Sequence, residues 1–494
     1  MRWIILLIFL SSYAARAAAD EAVAPAAPGG PHLSLDDAIR LALDRNKSIK
    51  VDAFFRTIAR ANLLEARGRF DPALTFRRSY DENRSPVSSG PLVLQETRTD
   101  DYNLALEGLM PWGLSYSLGG SARNQRGSFN GFNDSFDTFG GIVVTQPLLR
   151  GFGLGANLVN VRIAKADRAM ADWAFRQSAI ATVTRVIVAY SDLVFAKENL
   201  LIARRARVLV DSLVVSNERR FNAGTMSQSD VLQARAQAAQ RGEAILFAER
   251  AVRDSDNALR HVIGEETFSL NGPILAVEAP ALPAGTPVNP AEDLKTAYEL
   301  RPDYQGVRLG LGKRRATDAV ARNQLLPTVD VVGSYGYSGL DHDFSSSRRM
   351  VADQDHRSYS AGVVVSVPLT FAEGRGRARA ARLELRQGEA DLERLSQDIA
   401  LSVMNAAGQI ETTRQRVAST QRAFELANEA LAGELKRLQA GTTTTFVVLN
   451  LQTNLTQIES NRSRALADQR RAYANYEREI GVTLERHAIQ LTNQ

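Results

Sequence analysis

The sequence predicts a mainly α-helical protein with an added membrane-type β region, built from one plan used twice. Three observations predict it. The turn Arg220-Phe221-Asn222-Ala223-Gly224-Thr225 returns as Arg437-Leu438-Gln439-Ala440-Gly441-Thr442 at an offset of 217, and Val231-Leu232 and Ile263-Gly264 return as Val448-Leu449 and Ile480-Gly481 at the same offset. Between Ala156 and Phe221 there is neither glycine nor proline, while Trp173, Ile180, Ile187, Val194, Leu201, Val208 and Val215 recur at every seventh residue. A seven-residue repeat held this long implies supercoiled helices lying side by side. The third observation is a change to period 2 between the helical stretches, in segments of about ten residues. Length alone would suggest three or so domains; the duplication makes it one structure built twice.

Taken in order, Met1–Ala19 reads as a secretory signal, with Arg2 as the positive start, Trp3–Tyr13 as the apolar region and Ala17-Ala18-Ala19 before the cleavage point. Residues 20–32 are Ala/Pro/Gly-rich and read as a flexible leader. The first structural repeat is assigned to 33–264, a linker to 265–290, the second repeat to 291–481 and a tail to 482–494. A helical pattern opens at Leu33-Ser34-Leu35-Asp36, with Ser34 or Asp36 as N-cap, and runs to about Arg69 before Pro72. Alternation follows at Tyr102-Leu104-Leu106 and at Leu114-Tyr116-Leu118, on either side of the Met110-Pro111-Trp112-Gly113 turn. In the second copy Val329-Val331-Gly333-Tyr335-Tyr337 and Tyr359-Ala361-Val363-Val365-Val367 form the partner faces. The stretches Asn83–Gln95, Asn124–Thr138 and Ser338–Arg357 read as polar loops. The long helix spans roughly 100 Å at 1.5 Å per residue, over three times the roughly 30 Å hydrocarbon thickness, and Arg185, Lys197, Glu198, Arg204 and Arg205 keep it out of lipid. Its counterpart is Arg377–Gln439. Residues 34–69 and 226–263, and again 291–323 and 444–479, are each about half that length and would stack end to end into a second strut.

Composition removes several classes of function. The chain has no cysteine, so neither disulfides nor a lipid on an N-terminal Cys are available. No stretch beyond the signal has 18 consecutive apolar residues, so no helix is expected to cross a bilayer. The net charge of +5 and a pI near 9.4 come from charges that alternate in sign along the helices, which argues against nucleic-acid binding. Gly151-Phe152-Gly153-Leu154-Gly155 imitates a dinucleotide fingerprint but opens a helix that is far too long, with no parallel strand following. The histidines at 32, 261, 342, 356 and 487 are scattered, and Asp341-His342-Asp343 with Asp353, Asp355 and His356 reads as a solvated loop in preference to a metal site. No nucleophile–base pair is visible, and no enzyme, cofactor or metal is expected. The strands alone fit an ordinary antiparallel sheet as well as a membrane barrel. A half-barrel would have exposed edges, so in lipid it requires closure by other copies.

Taken together, Arg220-Phe-Asn-Ala-Gly-Thr with Asp230-Val231-Leu232, Gln146-Pro147-Leu148 before the long helix, Leu300-Arg301-Pro302-Asp303 and Asn475-Tyr476-Glu477-Arg478-Glu479-Ile480-Gly481 resemble the TolC-type outer-membrane efflux proteins over nearly the whole mature chain. The resemblance implies a homotrimer with a periplasmic α-barrel and a shared outer-membrane β-barrel in contact with lipid. It implies an exit duct of a tripartite efflux or type I secretion system, joined through a periplasmic adaptor to an inner-membrane pump and exporting small molecules or polypeptides. The rival readings are a periplasmic adaptor and a structural coiled-coil protein of the envelope. By the resemblance, Arg220, Ala223, Gly224 and Thr225, with Arg437, Ala440, Gly441 and Thr442, are adaptor-docking tips, in which Thr225, Ser227, Thr442 or Thr444 would cap the following helix. The acidic ring and the Arg–Asp–Tyr ties found in the best-known members are missing here: Val447 and Asn450 stand at the acidic positions, and Leu438 and Thr443 at those of the tyrosine and arginine. Only Asp230 keeps its carboxylate. The expected gate is therefore Phe446, Val447 and Asn450, with Thr443 and Asp230 beside them, closing by packing and dewetting. Pro147, Gly151 and Gly153, and Pro368, Gly374 and Gly376, read as flexible strand-to-helix joints. The first copy carries about 34 extra residues between Pro72 and Pro147, so four or six strands per chain are both open.

Overall fold

The computed structural model describes residues 32–87, 93–265, 274–280 and 288–491. The signal, the leader up to residue 31 and residues 492–494 lie outside these. The first half opens with β1 (His32–Leu33), α1 (Leu35–Arg45) and α2 (Lys47–Gly68). Four strands follow: β2 (Ala73–Val87), β3 (Val93–Leu109), β4 (Ser115–Gly127) and β5 (Phe136–Pro147). A short α3 (Gly153–Asn157) leads into α4 (Val159–Asn222), and α5 (Gln228–Ile263) returns. After β6 (Ala276–Val277), the second half gives α6 (Pro290–Leu300), α7 (Pro302–Asn323), β7 (Thr328–Asp341), α8 (Phe344–Ala352) and β8 (His356–Ser366). It ends with α9 (Ala372–Gln439), α10 (Thr445–Ile480) and α11 (Thr483–Arg486).

The six long strands form one antiparallel sheet in the order β2-β3-β4-β5-β7-β8. The extra length of the first copy is thus a strand pair, and the described residues supply six strands to this sheet. The expected face pairing of the second copy holds, with Val331 opposite Val363 and Tyr335 opposite Tyr359. The expected loops are shorter than read. Of the expected loop Asn83–Gln95, residues 83–87 and 93–95 are strand and 88–92 lie outside the described residues; Arg84 opposite Glu96 and Glu82 opposite Arg98 pair their charges across β2 and β3. Ser338–Arg357 contains α8. One face of the sheet is apolar (Leu74, Phe76, Leu104, Leu118, Ile142, Val363) and the other carries Ser117, Ser121, Ser334 and Ser360. The apolar band slants from Leu74 and Phe76 on β2 down to Tyr359–Val365 on β8, the stagger that tilted barrel strands require.

The helices stand as four columns. α4 packs against α2 above and α5 below on one side, and against α7 and α10 on the other; α9 packs on α7 and α10. Stacking of half-helices therefore occurs as expected, but each upper half is broken. Asn46 ends α1 and caps α2 by accepting from the Ser48 N–H at 2.9 Å, and Arg301 with Pro302 at N1 separates α6 from α7. The repeated Ile-Gly pairs lie against these breaks. Gly264 (φ 89°) and Gly481 (φ 84°) end α5 and α10, and a Cβ there would come within 2.9 Å of the Arg45 carbonyl and 3.1 Å of the Leu300 carbonyl. Only glycine fits.

The main core lies midway along α4, where Ile180, Val183, Val186, Tyr190 and Leu193 are buried with Leu259, Ile263 and Leu484. Each fully buried aliphatic side chain contributes about 1.5–3 kcal/mol. The Tyr190 hydroxyl donates to the Leu33 carbonyl at 3.0 Å and accepts from the Glu278 N–H at 3.2 Å, fastening β1 and β6 as a belt around α4. Ser34 is the N-cap of α1. Leu484 is buried and Ile489 and Leu491 pack on this core, so residues 482–491 are not a free tail, and His32 belongs to β1 in place of the leader. An 18-residue window of α4 is apolar enough to cross a membrane, but 72% of it is buried inside the protein, so it is core. The seven-residue stripe is core only as far as Val194; Leu201, Val208 and Val215 are exposed, and Ile202, Val210 and Leu213 replace them. A straight helix drifts by about 20° per heptad, which carries the stripe out of the seam.

Candidate functional site at the helical tips

Both tips are built from the same backbone hydrogen bonds. At the first, Thr225 N–H donates to the Arg220 carbonyl at 2.9 Å and Gly224 N–H to the Phe221 carbonyl at 2.9 Å. At the second, Thr442 N–H donates to the Arg437 carbonyl at 3.0 Å and Gly441 N–H to the Leu438 carbonyl at 3.2 Å. This pair of bonds closes a helix around one left-handed residue, here Gly224 (φ 73°) and Gly441 (φ 72°), with Ala223 and Ala440 just before it. The Thr225 and Thr442 hydroxyls do not cap the next helix as expected. They donate back to the Arg220 and Arg437 carbonyls at 3.0 and 3.1 Å, so they finish the helix before the turn. Ser227 caps α5: it accepts from the Asp230 N–H at 3.2 Å and donates to the Asp230 carboxylate at 2.6 Å. Asp230 is thereby engaged in a helix start. Thr444 stands at the N-cap of α10 without a side-chain bond.

The tips differ in their side chains. The Arg220 guanidinium reaches across to the second tip and donates to the Leu438 carbonyl at 3.3 Å, whereas Arg437 lies 3.5 Å from Glu434 on its own helix. The Thr443 hydroxyl also donates to Glu434. One turn above, Asn217 is fully buried with its Oδ1 3.5 Å from the Thr445 hydroxyl and its Nδ2 without a protein partner. Polar ties to α10 continue upward, first from α5 and then from α4. Arg241 and Gln237 donate to the Thr453 hydroxyl at 2.8 and 3.1 Å, and Ser460 donates to Asn199 at 2.8 Å. A buried polar residue in a helical seam fixes register at a cost in stability. Sequence reasoning missed Asn217 and Thr445; the available signal was an asparagine in line with Val210 and Leu213.

The expected gate residues fall together at the start of α10. Phe446 is 57% exposed and Val447 38%, and Asn450 shares their exposed face. In one copy they face nothing, while Thr445, Val448 and Leu449 turn into the core. The joints lie at the far end of the long helices. Gly151 (φ 84°) and Gly153 (φ 89°) take left-handed conformations, and each is pinned: Gly151 N–H donates to Asn323 Oδ1 and Gly153 N–H to the Trp112 carbonyl, both at 2.9 Å. Pro147 closes β5 and Pro368 follows β8. In the second copy the left-handed residue is Phe371 (φ 49°), not Gly374 or Gly376, which lie inside the first turns of α9. Among the described residues no group of three or more His, Asp or Glu side chains could hold a metal ion, the Asp341–His356 segment included.

A second anchor sits at the break between α6 and α7. Arg301 donates to Asp303 at 2.7 Å, to the Glu479 carboxylate at 2.8 Å and to the Glu479 carbonyl at 2.9 Å. Burial pushes the Asp303 carboxyl up, but the Arg301 hydrogen bond and charge outweigh it and hold it below its ordinary value. Glu479 behaves alike, its burial outweighed by Arg478 and Arg301.

Comparison with known proteins follows this geometry. A family model described as "Outer membrane efflux protein" matches residues 38–265 and 294–481. The outer membrane protein TolC of Vibrio cholerae is 22% identical over 329 residues, which cover 66% of this chain and 73% of that protein. Among solved structures, the outer-membrane channel OprN superposes with a TM-score of 0.66 at 19% identity, covering 90% of this chain and 89% of that one. The outer membrane protein VceC of Vibrio cholerae gives 0.63 at 17% identity, covering 90% and 96%.

Proposed function

The chain belongs to the outer membrane efflux protein family, and from that premise we propose that three copies close into one exit duct whose periplasmic tips dock an adaptor and hold the gate. Members of the family, this chain included, are outer-membrane efflux channels with a long periplasmic helical part. One observation carries closure by further copies, with three taken from the family: the two ends of the assembly in a single copy are unfinished on the same sides. β2 and β8 are open sheet edges. In line with them, the outer columns leave large apolar side chains exposed: Phe54 and Phe55 on α2, Phe247 on α5, and Leu401, Met404 and Leu426 on α9. Neither an open edge in lipid nor an apolar stripe in water is stable, and both are removed when β2 and its column meet β8 and α9 of the next copy.

In this reading Phe446, Val447 and Asn450 of each copy converge at the narrow periplasmic end, with Thr443 and Asp230 behind them. Dewetting between Phe446 side chains closes the pore, and no strong cation selectivity is expected, because Val447 and Asn450 stand where a ring of carboxylates would. Arg220 and Asn217 tie the first tip to the second and keep the gate residues in place. The turns at Gly224 and Gly441 are the lowest points of the column pairs and form the docking surface for the adaptor, which links the duct to an inner-membrane pump. The chain acts as a conduit and not as a catalyst.

The test is single-channel conductance of detergent-purified protein in planar bilayers, together with its native mass. A trimer with a small, mostly closed conductance that rises in Arg220→Ala is the expected result. A protein that runs as a monomer, or a closed state selective for cations through Asp230 alone, would overturn the assembly or the gate respectively.

A further inference from the structure

The segment joining β7 to β8 does not stand free of the sheet. α8 is laid back onto the apolar face, across β5 and β7 near the ends of the strands remote from the helical columns. Its seat is built for it. The Ser347 hydroxyl, fully buried, lies 2.7 Å from that of Thr138 and within 2.8 and 2.9 Å of the Gly339 and Phe136 carbonyls. A Cβ on Gly339 would lie 2.1 Å from the Ser347 carbonyl oxygen, and one on Gly140 would lie 2.8 Å from Val351. Phe344 packs on Phe136 with ring centroids 5.7 Å apart. These small and polar residues leave room for α8 and hold it against the sheet.

Beside α8 the sheet leaves a groove of about 520 Å³, within the range of small-molecule sites. Its floor is Gly120, its walls include Phe76, Leu104, Leu118 and Val351, and Arg348 stands at its α8 rim. No carboxylate among the described residues pairs with the Arg348 or Arg349 guanidinium. The groove runs down into the apolar band, with Leu74 and Leu118 at its lower end. Level with Thr138 across the ladder, Arg78 lies over the Tyr102 ring and 3.6 Å from Asp100.

We infer that this groove binds a phosphate-bearing lipid of the outer leaflet, with an acyl chain along Phe76, Leu104 and Leu118 and the headgroup phosphate against Arg348. The helical columns leave the opposite end of the sheet, so α8 lies at the outer interface, the depth at which a lipid changes from chain to headgroup. The chemistry matches at both ends: the lower walls offer only apolar surface, and the rim offers unpaired guanidinium, which meets phosphate through paired N–H donors. A Phe/Met/Val-bearing helix with adjacent arginines is also suited to lie in the plane of an interface. The inference rests on the apolar face of the sheet being the lipid-facing one.

The experiment titrates the detergent-purified protein with lipid A and, as the neutral probe, with phosphatidylcholine, and counts retained lipid by native mass spectrometry. Wild type is expected to retain lipid A in preference, and Arg348→Glu to lower that preference about tenfold. Ala122→Phe, which fills the groove without touching charge, is expected to lower retention of both lipids. Equal retention of the two lipids by wild type, or unchanged retention in both variants while the β signal persists, overturns the inference. A separate arm guards the premise. The chain has no cysteine, so Val363→Cys, outside the groove, reports orientation cleanly. Labelling by a lipophilic maleimide with lipid preference indifferent to Arg348 would remove the lipid site alone, whereas labelling only by a water-borne reagent would remove the barrel reading and the site together.

Discussion

The two halves of the chain share a backbone plan and differ in what fastens it. Where the upper helix breaks, the first half uses a neutral amide: Asn46 caps α2 and donates to the Val262 carbonyl at 2.8 Å. The second half uses a half-buried ionic knot of Arg301, Asp303 and Glu479. At the tips the turns are superimposable in their hydrogen bonds, yet Arg220 crosses to the other tip while Arg437 stays on its own helix. Glycine is kept in both halves at the tips and at the ends of α5 and α10, where the left-handed φ or the close approach disfavours a side chain, but not at the strand-to-helix joint, where Phe371 takes the left-handed φ in the second half. Side-chain ties have no such geometric monopoly and have diverged. The divergence gives the two tips different freedom: the first is the one that holds, the second the one that is held.

The largest break is at the ionic knot. Arg301→Gln leaves Glu479 and Asp303 without their cation and is expected to cost about 3 kcal/mol, the lower end for breaking a buried pair, read by thermal unfolding of the helical signal. The knot also sets a pH dependence. Both carboxyls titrate below their ordinary values of 3.8 and 4.5, so the stability they add is present above those values and is lost as pH falls through the depressed ones. Wild type should therefore lose its advantage over Arg301→Gln on acidification below about pH 4, and an advantage that grew there would refute the assignment. Next come Gly224→Val and Gly441→Val, each expected to cost about 1–2 kcal/mol through the positive φ, equally at the two tips. Asn46→Ala should cost about 1 kcal/mol, the loss of one cap, which makes the first break the weaker fastening. The smallest effects sharpen the contrast between tips. Arg220→Ala removes a tie worth about 1 kcal/mol and raises closed-state conductance several-fold, while Arg437→Ala, an exposed i,i+3 pair, changes either by little. Equal effects of the two arginine variants would erase the asymmetry.

Much of this was legible in sequence where periodicity is strong. The long helix predicted as Arg377–Gln439 runs Ala372–Gln439, and the β7–β8 faces pair as the alternation of Val329–Tyr337 and Tyr359–Val367 requires. What was illegible turned on tertiary contacts. Asn46 stands at a helix break that has neither glycine nor proline, where its side chain caps α2 and bonds the Val262 carbonyl of another helix. Asn83–Gln95 reads as a polar loop in sequence, whereas Arg84 and Glu96 satisfy each other across a ladder. Sequence leaves Thr225 or Ser227, and Thr442 or Thr444, as alternative caps, and only the geometry shows the Thr225 and Thr442 hydroxyls turned backward. The arginine that joins the tips was visible as a residue but not as a tie, since its acceptor is a backbone carbonyl 218 positions away.

The added hairpin also bears on the shape of the duct. Of six strands, β2, β5, β7 and β8 run into helical columns, while β3 and β4 are joined to each other by the Met110–Leu114 turn. In the proposed trimer, eighteen strands spaced about 4.8 Å apart and tilted about 40° give a perimeter near 110 Å. Twelve helical columns at 8–10 Å between axes need roughly 100–120 Å. The two rings thus have nearly the same girth, so the wall of the proposed trimer can pass from sheet to helices without a step, which leaves the narrowing to the gate proposed at the tips.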